Sequence, residues 1–422
     1  MAVLYGKNYG KPTLDLNFAG NKSLIDTTTG TNYVTFSRAQ SANEATYIGS
    51  DGLIKYAAAD EARFDHDPVS LESLGLLIEE SRTNLLTYSS DLVTNWVPVF
   101  ATKTATAATA PNGVLEAIKL MPDATIASHY VYQTVSTGGA YTFSTYVKAA
   151  GYNIVSLYAG GQSYARFNLA TGSVIGENAF SSSRIENLTN GWFRISAFID
   201  NIGASAQYRI YAWDDADFGN YSGDGTSGIY IWGAQLEAGS FPTSYIPTSG
   251  STVTRAADVA SITGSNFSSW WNTKAGTFFS HSRPLLLTSN AHYGGMFGAD
   301  GGSVTNPLTM DVYRLFGPPI GAIGLSNLRS PGTSGFEIAA TSADPLNRKF
   351  VTSFDNLGSL SVCGGLEVVS LTDAVNGSGA IASVDGYYFG GRFNTSGLNK
   401  HVSRLTYYPK RLPDIELQQL TK

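Results

Sequence analysis

"WFRISAFI", residues 192–199, is the stretch on which the reading of this chain turns. In an extended backbone successive side chains point to opposite faces, so Phe193, Ile195, Ala197 and Ile199 share one face and Trp192, Arg194, Ser196 and Phe198 the other. One face is apolar throughout and the other is mixed, which is the pattern of a half-buried strand. Working outward, residues 141–148, 164–169, 208–213 and 229–236 read the same way, with Thr171-Gly172 and Asn190-Gly191 as turns between them. Short alternating strands at regular spacing predict a sandwich or jelly roll.

The totals agree with this reading. The chain has 422 residues, more than one core usually organises, so at least two domains are expected. Charged residues make up 14 %, against roughly a quarter in an average soluble domain, while glycine reaches 45, tyrosine 24 and phenylalanine 21. Aromatic and β-branched side chains fill pleated faces, and glycine supplies tight turns.

Residues 1–80 read as strand-and-turn material with no core of their own: 13–18, 32–37 and 46–55, the last with a hairpin turn at Ser50-Asp51-Gly52. They are expected to form an arm packed on neighbouring protein. Residues 242–258, rich in proline, glycine and hydroxyls, mark the boundary between two strand-rich regions. Beyond it, 276–282, 309–316, 348–355, 386–391 and 401–408 read as strands, and Pro413 opens a short helix with Leu417 and Leu420 on one side. The fold class is therefore all-β: a strand-rich arm (1–80), a β-sandwich (81–250), and a second sandwich (251–422) closed by a short C-terminal helix.

A net charge of −6 gives no basis for gripping nucleic acid. No run of apolar residues approaches a membrane span and no signal peptide is legible, so neither membrane insertion nor export is expected. Cys363 is the sole cysteine, which excludes an intrachain disulfide and a cysteine-rich zinc site. The expected place of Cys363 is as a small apolar side chain.

Catalytic signatures are sparse. No G-x-S-x-G elbow, H-E-x-x-H motif or P-loop is present. The G-x-G-x-x-G match at 223–228 is followed by a strand rather than a helix, which dinucleotide binding would need. Glu79-Glu80 and Asp214-Asp215 point to opposite faces if extended, so neither pair flanks a glycosidic bond. In Asp65-His66-Asp67 the histidine faces away from both carboxylates, which suits a polar strand end better than a metal site. Asp214, Asp215, Asp217, Asn220 and Asp224 crowd one loop. Oxygen-rich loops of this kind can hold calcium, although the spacing fits no EF-hand and the same residues also cap turns.

Aromatic residues remain as binding candidates, because sugar rings stack their C–H faces on Trp and Tyr. Tyr211 and Trp213 share a face, as do Tyr230 and Trp232, the latter pair with Ala234 and Leu236. Large aromatics of small sandwiches are usually buried, so core packing is the first expectation for each of the four and a binding platform the second. Trp270-Trp271 is open to the same two readings.

The words "WGAQLEAG" and "SYIPT" within 228–250, followed by "TRAAD" (254–258), resemble a segment of tailed-bacteriophage structural proteins. "SDGLIK" (50–55), "ARFDHDP" (62–68) and "GLLIEESRTNLLTYSSDL" (75–92) are similar to the same family. That resemblance implies a virion protein with a carbohydrate-binding-module-like jelly roll over roughly residues 30–258. "GTFFSHS" (276–282), "NRKFVTSFD" (347–355) and "HVSRLTYYPKRLPDIELQQL" (401–420) resemble laminin-G-like, concanavalin-A-like sandwiches on phage appendages. The implied function is non-enzymatic: a tail or tail-fibre component on the virion surface, assembled in the host cytoplasm. It would be anchored to other virion proteins by residues 1–80, be trimeric, and adhere to host surface glycan. The alternatives are a capsid decoration or head-fibre protein that stabilises the shell and, third, a polysaccharide depolymerase.

Overall fold

The computed structural model describes residues 10–39, 44–136, 138–161, 163–214, 218–284, 386–389 and 399–421, and between residues 292 and 371 the strands alone. Almost all regular structure is β, in two sandwiches.

The first sandwich stacks two six-stranded antiparallel sheets. One runs Ser182–Asn187, Phe193–Ile202, Gly139–Ala150, Gly228–Ala238, Leu115–Pro122, Ala101–Thr109. The other runs Ser173–Asn178, Ser163–Asn168, Ile154–Ala159, Ala206–Trp213, His129–Val135, Val97–Val99. Ile195, Ala197 and Ile199 meet Val155, Leu157 and Ile210 between the sheets, as the alternation of 192–199 requires. Trp192 and Arg194 face outward, Trp192 into a separate aromatic cluster.

The strand Gly228–Ala238 departs from simple alternation. Ile229, Ile231, Ala234 and Leu236 all lie in the inter-sheet core, so Ala234 and Leu236 do not share the face of Trp232. The cause is a bulge: Ser144 pairs Gln235 and Tyr146 pairs Trp232, leaving Gly233 as the extra residue, at φ 66°. One inserted residue shifts the phase, which turns Tyr230, Trp232, Gln235 and Glu237 to the opposite face.

The second sandwich is built from both ends of the chain. Ala275–Pro284 and Lys400–Tyr408 pair at the centre of one sheet, with Arg348–Asp355, Leu360–Cys363 and Val368–Leu371 beyond. On the other side Lys400–Tyr408 pairs with Ser73–Ile78, which pairs with Phe64–His66, and Leu14–Leu16 also pairs with Lys400–Tyr408. The facing sheet contains Thr35–Ser37, Val259–Thr263 and Gly386–Tyr388.

The described residues of the expected arm, 10–39 and 44–80, therefore do not stand outside the sandwiches. Leu14, Leu16, Phe18, Leu76 and Ile78 are buried in one core with Phe278, Leu405 and Tyr407. The physical reason is that "LDL" and "LGLLI" carry more apolar surface than a lone arm could bury, and the edge of Lys400–Tyr408 supplies both hydrogen bonds and a core. Gly75 makes the pairing close: at φ 98°, a Cβ there would lie 2.3 Å from the Val402 carbonyl oxygen. Core membership changes between Ile78 and Leu86 and again between Tyr245 and Ala260. The first sandwich is in effect inserted into the second.

Trp270 is buried with Phe267, Phe278 and Tyr407, so the Trp270-Trp271 pair belongs to the second core. The C-terminal helix, Asp414–Thr421, seats Leu417 against Phe279, Val351 and Leu412. The side chain of Cys363 lies outside the described residues.

Where the chain passes between the sandwiches, five charged groups with no side-chain exposure meet: Arg38, Arg63, Arg255, Glu79 and Asp258. Arg63 donates to Glu79 Oε2, Thr46 O and Ser244 Oγ, each at 2.8 Å, and also to Asp258. Arg38 donates to Asp258 Oδ1 at 3.0 Å, and Arg255 to the Glu80 carbonyl at 2.7 Å. Burial pushes the Glu79 carboxyl up, but Arg255 and Arg63 outweigh it and hold the group well below the usual carboxylate range. "ARFDHDP", "GLLIEES", "SYIPT" and "TRAAD", far apart in sequence, each contribute a member of this junction.

Candidate functional site

The outer faces of the first sandwich are both aromatic. On the sheet carrying Trp232, that residue has no exposure. Its ring lies 4.5 Å from Tyr245 and 5.4 Å from Tyr146, and its Nε1 donates to Glu116 Oε1 at 2.7 Å. Ile54, from the hairpin Ala45–Ile48 and Ile54–Ala57 that turns at residues 49–53, completes this cluster. Tyr230 is half-buried, with Lys119 Nζ 5.9 Å from its ring centroid. Trp232 therefore offers no surface to a sugar, because residues from outside the sandwich cover it.

The other sheet presents its outer face differently. Val155, Leu157, Ala165, Phe167, Ile210 and Ala212 point into the core, so the alternate positions point out. Tyr130, Tyr211, Tyr158 and Tyr164, on four adjacent strands, make a continuous row of rings. Tyr130 stacks on Tyr211 at 4.5 Å, Tyr211 meets Tyr158 at 4.4 Å, and Tyr158 meets Tyr164 at 5.5 Å. Cross-strand register places them there: Tyr130 opposes Tyr211, and Tyr158 opposes Tyr164.

Two guanidinium groups border the row. Arg209 sits 5.3 Å from the Tyr130 ring and donates to the Tyr211 hydroxyl at 3.2 Å, while Gln207 accepts from its Nε at 2.9 Å. Arg166 is held between the Tyr164 and Phe218 rings at 4.2 and 4.3 Å. Tyr130, Tyr132, Tyr158, Tyr164, Arg166 and Arg209 are all half-buried, and among the described residues their ring contacts come only from this face and from the loop bearing Phe218.

Tyr211 and Trp213 share this face, as the sequence indicates, with rings 5.3 Å apart and only 8° from parallel. They form its floor: Tyr211 is 5 % and Trp213 2 % exposed, and Trp213 Nε1 donates to Ser156 Oγ at 2.8 Å. Burial pushes the Tyr211 phenol up, with Arg209 opposing. The accessible tyrosines, Tyr130, Tyr132, Tyr158 and Tyr164, were not singled out from sequence. "HYVYQTV" (129–135), with tyrosines two apart on a strand, carries the signal that would have found the first two.

Among the described residues, the acidic loop gives no comparable site. Asp215 and Asp217 lie outside the described residues, and Asp214 is half-buried beside Trp213. Asp224 Oδ1 accepts from Thr226 N at 2.7 Å, Thr226 Oγ1 at 3.0 Å and Ser227 N at 2.6 Å. Hydrogen bonds from Ser227 and then Thr226 hold this carboxyl well below its usual range. Asp224 caps its own turn, and among the described residues no group of three or more His, Cys, Asp or Glu side chains is placed to hold a metal ion.

In Asp65-His66-Asp67 the histidine is buried and the two carboxylates are half-buried. Asp65 accepts from Ile48 N at 2.6 Å and pairs with His401 Nε2 at 2.7 Å, and Asp67 caps the turn of Val69 and Ser70.

No family model matches the chain, and no curated protein matches it. Among solved structures it is similar to the carbohydrate-binding module of the Ruminococcus gnavus IT-sialidase bound to α2,3-sialyllactose, at 12% identity and TM-score 0.31, over 37% of this chain and 88% of that one. It is similar to a structure reported for ganglioside-dependent cell entry of botulinum neurotoxin type C, at 10% identity and TM-score 0.29, over 39% of this chain and 40% of that one. A Trypanosoma rangeli sialidase with bound sialic acid matches at 11% identity and TM-score 0.26, over 72% and 60%. Likeness this loose locates no functional residue, and the sandwich architecture rests on the chain's own strand pairing.

Proposed function

We propose that this chain is a non-enzymatic, saccharide-binding protein of a tailed-phage virion surface, holding host glycan on the tyrosine face of its first sandwich. The observation that carries the reading is the row Tyr130, Tyr211, Tyr158, Tyr164, a ring platform with half-buried members bordered by Arg209 and Arg166. Pyranose C–H faces stack on such rings, and guanidinium N–H groups donate to hydroxyl or carboxylate oxygens. A shallow site of this type binds weakly. A trimer displayed in many copies on a tail or tail fibre would raise its effective affinity without new contacts. The virion assignment is supported by the phage-like words that converge on the Arg63–Glu79–Asp258 junction.

The test is binding of purified chain to immobilised host-surface polysaccharide, for the wild type and for Tyr158→Ala combined with Tyr164→Ala. Loss of binding by about tenfold or more, roughly 1.4 kcal/mol, with an unchanged unfolding midpoint supports the reading. Undiminished binding by the double variant removes the tyrosine face from it, and shortening of the polysaccharide chains would make the protein a depolymerase.

A capsid-decoration role is favoured by one feature, the exposed Val97, Phe100 and Ile126 at 47, 48 and 74 %. Electron microscopy of the intact particle separates the two: density on the tail supports adhesion, and density across the capsid lattice supports decoration.

A further inference from the structure

A cavity of about 520 Å³ lies between the sandwiches, lined by residues of both, including His66, Tyr146, Arg184, Glu186, Arg194 and Phe241. Its size falls within the range of small-molecule sites, about 300–1,000 Å³. Two of its polar groups have no partner. His66 is 4 % exposed, its Nδ1 lies 3.1 Å from the Ile48 carbonyl oxygen, and its Nε2 makes no hydrogen bond. A carbonyl only accepts, so Nδ1 carries a proton, and in the Nδ1–H tautomer Nε2 is an acceptor. Arg194 donates through Nη2 to the Thr243 carbonyl at 2.7 Å, yet its buried Nε–H is unpaired. His66 also lines a neighbouring cavity of about 1070 Å³.

Buried groups left unpaired are costly, so an acceptor and a donor lacking partners around one cavity describe what would fill it. The occupant must offer an O–H and an oxygen lone pair. Tyr146 and Phe241 add apolar ring surface, and Arg184 and Glu186, both exposed, bring one charge of each sign. Arg194, Asp65, Asp67 and Glu79 also line the cavity, so charges of both signs surround it and an ion of one sign has no matching wall.

We propose that the inter-sandwich cavity is a second ligand site, taking a neutral saccharide unit whose hydroxyls donate to His66 Nε2 and accept from Arg194 Nε–H. This site is distinct from the tyrosine face and does not depend on it. It uses residues of both sandwiches, so occupancy ties the inserted sandwich to the terminal one.

The experiment titrates full-length protein, carrying ¹⁵N-labelled histidine, with methyl α-glucoside, methyl α-galactoside, N-acetylglucosamine and lactose. The expected result is a millimolar, saturable shift of the His66 Nε2 resonance by at least one of the four. In His66→Leu and in Arg194→Lys the affinity of that sugar, measured calorimetrically, falls about tenfold or more. The wild-type shift is read without any variant, so a misfolded variant does not hide the answer. If none of the four sugars moves the resonance, ordered water alone satisfies the two groups and the proposal is overturned. Retention of the shift in Tyr158→Ala supports a separate site, and its disappearance there overturns one. Loss of polysaccharide binding in the tyrosine-face variant without any change at His66 would leave both sites standing independently.

Discussion

The first sandwich has two outer faces made by the same alternation and stocked with the same side chains, yet one is core and the other is surface. Tyr146, Trp192 and Trp232 lie on the first, at 4, 2 and 0 % exposure, beneath Ile54 and Tyr245. Tyr130, Tyr158 and Tyr164 lie on the second and stay half-buried. Nothing in the strands themselves separates the two. The difference is made by the 45–57 hairpin and the 241–248 loop, segments outside those sheets that close over one face only. Aromatic residues at alternate positions on a strand thus report an amphipathic sheet, and the covering segment determines whether they stabilise or bind.

This contrast can be broken most sharply at the junction that fixes the covering segments. Arg63→Ala removes the guanidinium that Glu79 and Asp258 share in a buried junction and is expected to cost about 3–5 kcal/mol in chemical denaturation. A variant as stable as wild type would show that the junction does not hold the two sandwiches together. Trp232→Ala should cost a similar ~3–5 kcal/mol by emptying a filled site, while Tyr158→Ala changes stability by no more than about 1 kcal/mol. Equal costs for the two would erase the distinction between the faces.

Gly233→Ala comes next, at about 2 kcal/mol. Its φ of 66° disfavours a side chain, and a Cβ there would lie 2.7 Å from Tyr146 Cδ2. A neutral outcome would mean that the bulge can move without disturbing the covered face.

Titration sharpens the comparison further. The Glu79 carboxyl is depressed in the folded chain, so its contribution is complete above its ordinary value of 4.5 and is lost as pH falls further below it. Burial pushes the Tyr146 phenol from 10.0 up to about 12, so its contribution is present below pH 10 and is lost as pH rises through that interval. Unfolding midpoints measured across pH should fall at both ends, and Glu79→Gln should flatten the acid limb. The smallest effect belongs to the open face, where Tyr158→Ala alone should weaken polysaccharide binding about tenfold, roughly 1.4 kcal/mol, and leave both pH limbs unchanged.

Much of the fold was legible. Residues 192–199 alternate in the structure as they do in the sequence, the turn at Ser50-Asp51-Gly52 joins a hairpin whose Ile48 opposes Ile54, and Pro413 precedes the closing helix. The candidate site was half legible. Tyr211 and Trp213 were placed on one face correctly, but they are buried there, Tyr211 beside Tyr130 and Tyr158 and Trp213 beside Tyr211, Phe218 and Tyr221. Trp232 fails for another reason: its cover comes from residues about 180 positions earlier in the chain, at Ile54. The phase change at Gly233 was hidden because a glycine inside an apolar strand can mark a bulge without saying which way the following side chains turn.

By itself the sequence determined the all-β class and most strand positions, because period-two patterning and turn chemistry are local properties. Only the tertiary structure decided that the strands at 14–16, 35–37, 64–66 and 73–78 complete the C-terminal sandwich, that five distant charges close one junction, and that one aromatic face is covered while its twin stays open. Those outcomes depend on which strand edge and which apolar face are unpaired once the sheets have formed, and a chain's local pattern does not encode the partner that will fill them.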